Sequence, residues 1–583
     1  MLLARQWWAF WWIASTTGVD AFTRQYSSGV LSVPRLNPRR KGRRGLGLRL
    51  SESAPENTKK RVVVVGGGWA GFGAAKALSE AGVYDVTLLD ASPNPGGLSA
   101  GWRTKSGRAV EAGIKGFWYS YPNIYSLVEK ELGLDDVFTD WTRSSFFSPD
   151  GLQVEAPVLQ REQAYPSPLG LFIHTRELFT SLPLADRASM MPLLYAILDH
   201  DRDTETYTKY DKMSAHELFK RFGVSRRLYE EFLKPILLVG LFAPPEELSA
   251  AVVLGMLYFY VLAHQPDFDV RWCRGSVSEK IFGPLVSQIQ ENGGQVRGGM
   301  FVCDVERGAD GKVTAVVARD SDGGTSSFPA DAVVSCISIT GMKKLVSACP
   351  ALASCPDLRR VMGLRSVDVM ATRLWFDRKV EVKNPSNVMA GFDDTLGGTF
   401  FHLNDLQDEY RDSPGSVVAA DFYHASELLP LSDEQVVERL HKEFLSTCVP
   451  EFRQCEVVDS WVGRFPQAVT CFSPGSYPKR PTQRSSGIPN LFLAGDWVKG
   501  VDHGANGLSQ ERAYVTGLTA ANLVMDQLGG VSAGRRAEVL QTEPDEPQVV
   551  LGKRVNGQVK DAMRTLGLQD PILDLAVFPG FLP

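Results

Sequence analysis

The sequence predicts an α/β protein in which a discontinuous Rossmann-like nucleotide-binding domain is combined with a second, α+β domain. Residues 61–71 read RVVVVGGGWAG, a short apolar strand followed by a glycine-rich turn. Residues 489–521 contain a second apolar strand that ends in LFLAGD and leads into another glycine-rich loop and a helix. Alternating apolar residues at 370–382 and 416–425 are typical of antiparallel strands and predict the sheet of the second domain.

The first glycine turn has the spacing of a dinucleotide-binding site. Gly66, Gly68 and Gly71 follow the G-x-G-x-x-G pattern, with Trp69 and Ala70 between the last two glycines. The first glycine permits the tight turn, the second lets the backbone approach a pyrophosphate, and the third lets the helix pack on the strand. Free N–H groups at the helix start then face the phosphates. The alternative is a glycine-rich turn that binds no ligand.

An acidic residue at the end of the next strand supports the nucleotide interpretation. The stretch DVTLLD ends in Asp90, where a carboxylate can accept hydrogen bonds from the hydroxyls of an adenosine ribose. A second glycine cluster, NPGGLSAGW, follows directly and contains Gly97 and Leu98. We expect this cluster to lie beside the first turn and to contact the same cofactor.

The second strand–loop–helix unit indicates that the cofactor is a flavin. Asp496 ends the strand and can bond a ribityl hydroxyl, while the backbone of Gly495 can approach the pyrophosphate. Ser509 is a plausible cap for the following helix, whose positive end would face the N1/O2 edge of a flavin ring. An NAD-dependent enzyme does not need this second segment, so the sequence predicts FAD.

The two terminal motifs together resemble those of FAD-dependent amine oxidase-like oxidoreductases. Within that superfamily the chain resembles the plastid phytoene and ζ-carotene desaturases in the stretches EAGIKGFWYSYPN, YPSPL, PPEELS, LWFDRKV and SQERAYVTG. The resemblance spans about residues 60–525 and implies an FAD-binding domain of the GR2 type. It also places Val302, in the middle FAD-binding segment, among the cofactor contacts.

The resemblance implies desaturation or isomerisation of a carotenoid or related polyene, with a hydride passing to the flavin. It implies a hydrophobic small-molecule substrate and a quinone-type electron acceptor. Two positions depart from the family pattern: Lys115 stands where a histidine is expected, and Leu98 stands where a lysine or arginine usually follows the glycine pair. Two alternatives remain open: a flavin amine oxidase-type enzyme acting on an amine or small terpenoid, and a non-catalytic flavin-binding protein.

No catalytic residue is assigned from the sequence. Lys115 is a candidate for tuning the flavin potential, and its alternative role is a lysine that snorkels to the surface. Glu511 is a candidate proton acceptor, with a helix-cap or salt-bridge role as the alternative. Glu111 and His503 are weaker candidates of the same kind, and Trp118 can line a substrate tunnel or pack in the core.

Composition excludes several other classes. The net charge of −5 gives no basis for nucleic-acid binding. The eight cysteines contain no C-x-x-C pair and the eight histidines no H-E-x-x-H, so no metal site is predicted. Apolar helical stretches at 165–200 and 246–264 suggest peripheral contact with a membrane surface, although packing between helices explains them equally well.

The amino-terminal residues read as a targeting sequence. Residues 1–21 resemble a signal peptide, with Arg5 before the apolar run WWAFWWIA. Residues 22–58 begin with a phenylalanine and are rich in arginine and serine, which is typical of a transit peptide. Together they predict import into a plastid. The alternative is a disordered basic tail that binds anionic lipid.

The remainder of the chain divides into six predicted segments: a first FAD-binding segment (59–150), a helical substrate- or membrane-facing region (151–294), a second FAD-binding segment (295–345), the sheet of the substrate domain (346–484), a third FAD-binding segment (485–528) and a loosely attached carboxy-terminal extension (529–583).

Overall fold

The computed structural model describes residues 59–174, 182–504, 507–532 and 535–567. The predicted signal and transit peptides at 1–58 lie outside these residues. Within them the chain forms two main sheets with helices packed around both, and the predicted α/β fold with its discontinuous nucleotide-binding domain is confirmed.

A parallel sheet of five strands forms the nucleotide-binding half. Across the sheet the strands run in the order Leu491–Leu493, Ala332–Ser335, Lys60–Val65, Tyr84–Leu89 and Gln295–Arg297. The five strands come from three distant stretches of sequence, and the valine-rich strand Lys60–Val65 lies at the centre.

Alternation along the central strand explains why it is apolar throughout. Val62 and Val64 face the core formed with the helices Trp69–Glu80 and Gln510–Leu528. Val63 and Val65 face the opposite core, which includes residues of a three-stranded antiparallel sheet. The strands of that sheet are Phe301–Arg307, Val313–Arg319 and Thr325–Pro329. A parallel strand covered on both faces requires a continuous apolar run.

A mixed sheet of seven strands forms the second half. Its strands run in the order Val457–Cys471, Arg365–Phe376, Val417–Tyr423, Gly397–His402, Ser386–Met389, Ser144–Ser148 and Gly151–Ala156. All neighbours pair antiparallel except Ser386–Met389 with Ser144–Ser148. Two small pairs connect the halves: Gly101–Arg103 with Ala109–Glu111, and Gly116–Trp118 with Val270–Trp272.

The predicted segment boundary at residue 150 differs from the structure. Strands Ser144–Ser148 and Gly151–Ala156 form a hairpin at the edge of the seven-stranded sheet, so this sheet also draws on the chain before residue 346. The sequence pattern did not reveal this, because the partner strand Ser386–Met389 lies more than two hundred residues away.

Helices fill the region between residues 169 and 291. Their bounds are Leu169–His174, Leu184–Ala188, Leu193–Ile197, Thr204–Asp211, Ala215–Arg221, Arg226–Leu228 continuing through Tyr229–Leu233 into Lys234–Gly240, Ala250–Leu257 continuing into Tyr258–Leu262, and Ser278–Phe282 continuing into Gly283–Glu291. All eight residues of Ala250–Leu257 are buried, as expected for a buried helix. In the described ranges no helix has the length and apolar character needed to cross a bilayer.

Shorter helices flank both sheets. They comprise Pro122–Tyr125 continuing into Ser126–Glu131, Ile339–Ala348, Pro350–Ala353, Pro356–Arg359, Leu403–Leu406, and Asp433–Arg439 continuing through Leu440–Leu445 into Ser446–Cys448.

The carboxy-terminal extension contains a helix, Pro547–Thr565, that is fastened to the helical region. Lys560 forms a buried ion pair with Asp199, and the Asn556 amide donates to the Tyr195 carbonyl at 3.2 Å. The expectation of a loosely attached extension is therefore wrong for this helix. Residues 568–583 lie outside the described residues.

Candidate functional site

The three glycines of the first turn have different structural roles. Gly66 has a φ of +99°, and a Cβ there would lie 2.9 Å from the Cys336 carbonyl oxygen. A Cβ on Gly71 would lie 1.7 Å from the Gly66 carbonyl oxygen, so this glycine allows the helix to pack on the turn. Gly68 is open: the nearest atom to its Cβ would be the Gly97 Cα, at 3.7 Å. The open position is the one where the backbone can approach a ligand.

The helix that follows the turn begins without a side-chain cap. Gly68 is its N-cap residue, and its first turn carries no acidic residue. The uncapped amides are therefore available to an anion, and the helix dipole favours negative charge there. Trp69 fixes the helix start, because its indole N–H lies 3.0 Å from both the Ser99 hydroxyl and the Gln510 side-chain carbonyl.

Asp90 lies at the end of the second strand, beside the turn. Its Oδ2 accepts a hydrogen bond from the Gly67 amide at 2.5 Å, and its Oδ1 accepts one from the Ser92 amide at 2.7 Å. Burial raises the pKa of Asp90, and these two amides oppose the rise. Each carboxylate oxygen has a second lone pair, so the side chain can still accept bonds from ribose hydroxyls.

The second glycine cluster closes over the first. Gly97 has a φ of +55°, and a Cβ there would lie 3.1 Å from the Gly68 Cα. Two glycine backbones therefore meet where side chains would collide. Leu98 and Val302 line the same cavity as these glycines and contribute apolar surface.

The second motif joins the first at the edge of the parallel sheet. The Gly495 amide donates to the Thr516 hydroxyl at 2.8 Å, which ties the strand end to the last helix. Asp496 lies in the cavity wall, where desolvation raises its pKa to about 6 even though the positive charges of Arg512 and Arg480 oppose the rise. Ser509 is the N-cap of the helix, as predicted, and accepts from the Arg512 amide at 3.2 Å.

Arg512 organises the loop before this helix, a role that sequence reasoning missed. Its buried guanidinium donates to the carbonyls of Val498, Val501 and His503 at 2.9–3.2 Å. A cation in the first turn of a helix is opposed by the helix dipole. That local mismatch was the available signal that Arg512 has a tertiary role.

One continuous cavity of about 800 Å³ connects these elements. Its lining contains all but one of the predicted cofactor residues: Gly66, Gly68, Trp69, Ala70, Asp90, Gly97, Leu98, Val302, Gly495, Asp496 and Ser509. Gly71 is the exception, because it packs against the turn and does not face the cavity.

These features fit a flavin dinucleotide. An uncapped helix start, an open glycine, an aspartate and a second helix start all line the same cavity. Independently, the family described as flavin containing amine oxidoreductase matches residues 69–525. The chain belongs to this family.

The chain is also similar to carotenoid desaturases. The chain is 27% identical to the 15-cis-phytoene desaturase of Solanum lycopersicum, over 77% of this chain and 75% of that one. It is 24% identical to the zeta-carotene desaturase of Zea mays, over 77% and 82% of the two chains. The predicted resemblance is confirmed, and the chain is a flavin-family oxidoreductase with carotenoid desaturase homologues.

Solved structures of the family share the fold. The cyclohexylamine oxidase of Brevibacterium oxydans superposes with a TM-score of 0.59 and 13% identity, covering 81% of this chain and 99% of that one. At this identity the likeness concerns the architecture alone.

Away from the glycine turns, the cavity of this family member is apolar. Its wall includes Phe232, Ile236, Leu241, Val252 and Met256 from the helical region. Phe242 also lines it, with a φ of +62°, and stacks on Tyr423 with the ring centroids 4.1 Å apart. A bulky residue in this left-handed conformation is strained and is kept only where its surroundings hold it.

Lys115 lies in the cavity wall. Its ammonium donates to the carbonyls of Gly113 at 2.9 Å and Ala112 at 3.2 Å, so the side chain turns inward. Burial lowers the pKa of Lys115, and the negative charges of Asp421 and Glu111 oppose this. The third ammonium proton is not used by these two bonds.

Asp421 was missed by the sequence analysis. Its Oδ2 and the Lys115 Nζ lie beside Gly113, 3.0 and 3.1 Å from the position that a Cβ would take there. Its Oδ2 accepts from the Ile114 amide at 2.9 Å, whereas its Oδ1 has no hydrogen-bond partner among the described residues. Burial raises the pKa of Asp421 to about 6, and the positive charge of Lys115 opposes this. The available signal was an acidic residue inside an otherwise apolar strand, VVAADFY.

Glu511 does not line the cavity. Its carboxylate accepts from the Asn123 backbone and side-chain amides at 2.9 and 2.7 Å, from the Ile124 amide at 2.9 Å, and lies 3.1 Å from the His503 Nε2. These bonds fasten the helix that starts at Pro122 to the last helix. The geometry gives Glu511 the structural role that was its alternative and leaves its carboxylate no access to a substrate.

Of two further sequence candidates, Glu111 has a structural role and Trp118 lines the cavity. Glu111 accepts from the Val277 amide and from the side chains of Arg373 and Gln407, so it is a buried structural acid. Trp118 does line the cavity, where its ring packs 5.0 Å from that of Tyr260.

Proposed function

We propose that this chain is an FAD-dependent enzyme that desaturates, or isomerises, a carotenoid or related polyene in a plastid by hydride transfer to the flavin. The observation that carries the proposal is the cavity that is lined both by the dinucleotide turn and by apolar side chains of the helical region. Homology to phytoene and ζ-carotene desaturases supports the same substrate class.

The chain's own residues supply the cofactor's binding contacts. The uncapped amides after Gly68 hold the pyrophosphate, Asp90 accepts from the adenosine ribose, and Asp496 accepts from the ribityl chain. The helix start at Ser509 places a positive dipole end against the flavin ring. When bound, FAD supplies an oxidant that takes a hydride equivalent from a substrate carbon.

The apolar chamber binds and orients the substrate. A polyene hydrocarbon has few polar groups, so its affinity comes from buried apolar area, at about 25 cal/mol per Å². Side chains such as Phe232, Ile236 and Met256 provide that area and exclude water from the reacting carbons.

Exposed apolar side chains occur close in sequence to residues that line the cavity. Leu171, Leu182 and Met190 line the cavity, and Ile173, Leu184 and Met191, which neighbour them in sequence, are exposed, with Leu184 80% accessible. Exposed apolar side chains of this kind favour peripheral contact with a lipid surface, from which a dissolved polyene can enter. The proposal includes a quinone-type acceptor from the same membrane.

Co-expression in bacteria that accumulate phytoene tests the proposal. We expect pigment analysis to detect a polyene with an extended or isomerised chromophore, and the purified protein to release FAD on denaturation. The matched control is Gly68→Val, whose side chain fills the open position of the turn.

Unchanged phytoene, ζ-carotene and lycopene in cells that hold soluble, flavin-loaded protein would contradict the substrate assignment. Hydrogen peroxide release with amines would instead favour an amine oxidase activity. A colourless protein that takes up no added FAD would contradict the flavin assignment itself.

A further inference from the structure

We propose that Asp421 is the proton acceptor of this enzyme, and that Lys115 is the positioning residue that keeps it in its carboxylate form. This inference rests on the proposed function, because desaturation removes two hydrogens from neighbouring carbons and only one of them leaves as a hydride. The second leaves as a proton and requires a base.

Of the other acidic side chains in the cavity wall, Asp496 is assigned to the ribityl chain, and the remaining three have their oxygens engaged. Asp90 accepts from two backbone amides, as does Asp269, at 2.7 and 2.8 Å. Glu155 is paired with Lys383 at 2.7 Å. Among the cavity-lining carboxylates that the structure describes, Asp421 has a buried oxygen, Oδ1, without a hydrogen-bond partner. A buried carboxylate oxygen in that state is costly unless a ligand or a proton uses it.

Asp421 is also held firmly in the seven-stranded sheet. It lies in strand Val417–Tyr423, paired with Ala371 on one side and Thr399 on the other. Its second oxygen is fixed by the Ile114 amide at 2.9 Å. Gly116, two residues further, accepts from the Gln510 side chain at 2.9 Å, next to the helix start proposed to face the flavin.

The charges around Asp421 come from several elements. Lys115 and Arg373 favour its carboxylate form, whereas Glu111 and burial favour its neutral form. Tyr423, from the same strand, is buried with its hydroxyl 2.9 Å from the Thr399 Oγ1. Removing the Lys115 charge therefore removes one of the three interactions that keep Asp421 ionised; the other two are the Ile114 amide and the Arg373 charge.

The reaction balances with these groups. The hydride equivalent leaves one carbon with its electron pair and goes to the oxidised flavin. The neighbouring carbon loses a proton to the Asp421 Oδ1, and the electron pair of that C–H bond becomes the new C=C bond. Asp421 is left as the neutral acid and returns the proton to solvent before the next turnover.

The experiment compares holoenzymes carrying Asp421→Asn, Asp421→Glu and Lys115→Met in anaerobic single turnovers with a polyene, followed by flavin bleaching from pH 5 to pH 9. We expect the wild-type rate to rise with pH and level off. Asp421→Asn should lose at least about 100-fold in rate together with its pH dependence, because a positioned base contributes 10²–10⁴-fold. Asp421→Glu should restore part of the rate and a pH dependence.

Lys115→Met should move the midpoint of the profile to higher pH. The matched control is Asp459→Asn, an acid on the same sheet whose side chain is 40% exposed and outside the cavity wall. It should leave the rate and the profile unchanged.

A second measurement does not depend on turnover. Infrared difference spectra of the protein between acidic and neutral pH should show the carbonyl stretch of a protonated carboxyl group that is missing in Asp421→Asn. Flavin content and absorption should be equal in both proteins. If Asp421→Asn reduces its flavin within threefold of the wild-type rate and with the same pH profile, the inference about Asp421 is overturned while the proposed function stands. Failure of the wild-type flavin to bleach with any polyene would overturn the proposed function as well.

Discussion

Replacing Gly68 and Gly71 by alanine, one at a time, separates cofactor binding from folding at the same turn. A Cβ at Gly71 would lie 1.7 Å from a backbone oxygen, so the helix must shift by about 1.3 Å before that contact reaches 3.0 Å. Overpacking of this kind costs about 1–3 kcal/mol, and we expect the upper end because the obstacle is backbone. At Gly68 the nearest atom would be 3.7 Å away, so the folded state should lose less than about 1 kcal/mol.

The two variants should therefore lose different properties. Gly71→Ala should lose mainly stability, and Gly68→Ala should lose mainly affinity for FAD. Chemical denaturation of the apoproteins should show a clear loss of stability for Gly71→Ala and a small one for Gly68→Ala. Titration with FAD should show the larger loss of affinity per folded molecule for Gly68→Ala, at least about tenfold or 1.4 kcal/mol, since the new methyl group occupies the space of the pyrophosphate. A Gly71→Ala protein as stable as wild type, or a Gly68→Ala protein with wild-type affinity, would refute this assignment of roles.

Three further predictions concern buried charges. Glu511→Gln should lower the free energy of unfolding by about 1.5–3 kcal/mol, the usual contribution of hydrogen bonds to a charged group, while flavin content stays the same. Loss of flavin reduction in a variant of unchanged stability would contradict the structural role of Glu511. Lys560→Met leaves the Asp199 charge buried without its lysine, so limited proteolysis should cut Pro547–Thr565 faster, with a cost of up to about 3–5 kcal/mol. Burial raises the pKa of Asp421 from 3.8 to about 6, so the unfolded chain loses this proton at lower pH than the folded chain does. The free energy of unfolding should therefore fall by about 2–3 kcal/mol as pH rises from about 4 to about 6. Asp421→Asn should flatten that part of the curve of stability against pH, and an unchanged slope would show that Asp421 does not titrate there.

Much of the cofactor half could be predicted because its signals are local. The G-x-G-x-x-G spacing, the acid after the second strand and the serine before the last helix each specify a conformation within a few residues. Apart from Gly71, these residues line one cavity, and Ser509 caps the last helix. The boundary at residue 150 and the docking of Pro547–Thr565 depend on partners far away in sequence, which periodicity does not encode.

The candidate catalytic residues show the same division. Glu511 and Asp421 are both acidic residues within predicted elements, and only Glu511 was named as a candidate from the sequence. In the folded chain Glu511 is saturated by Asn123 and Ile124, which lie almost four hundred residues earlier, whereas Asp421 keeps one oxygen free of partners among the described residues.

The sequence by itself therefore determined the backbone of the cofactor site: a valine strand, a turn that only glycine can make, and helix starts that attract anions. Dihedral preferences and periodicity act between near neighbours, so they are legible in a few residues. Only the tertiary structure decided which carboxylates are satisfied, which face the cavity and which titrate abnormally. Those properties follow from burial and from hydrogen bonds between distant segments, and they exist only once the chain has closed around its cavity.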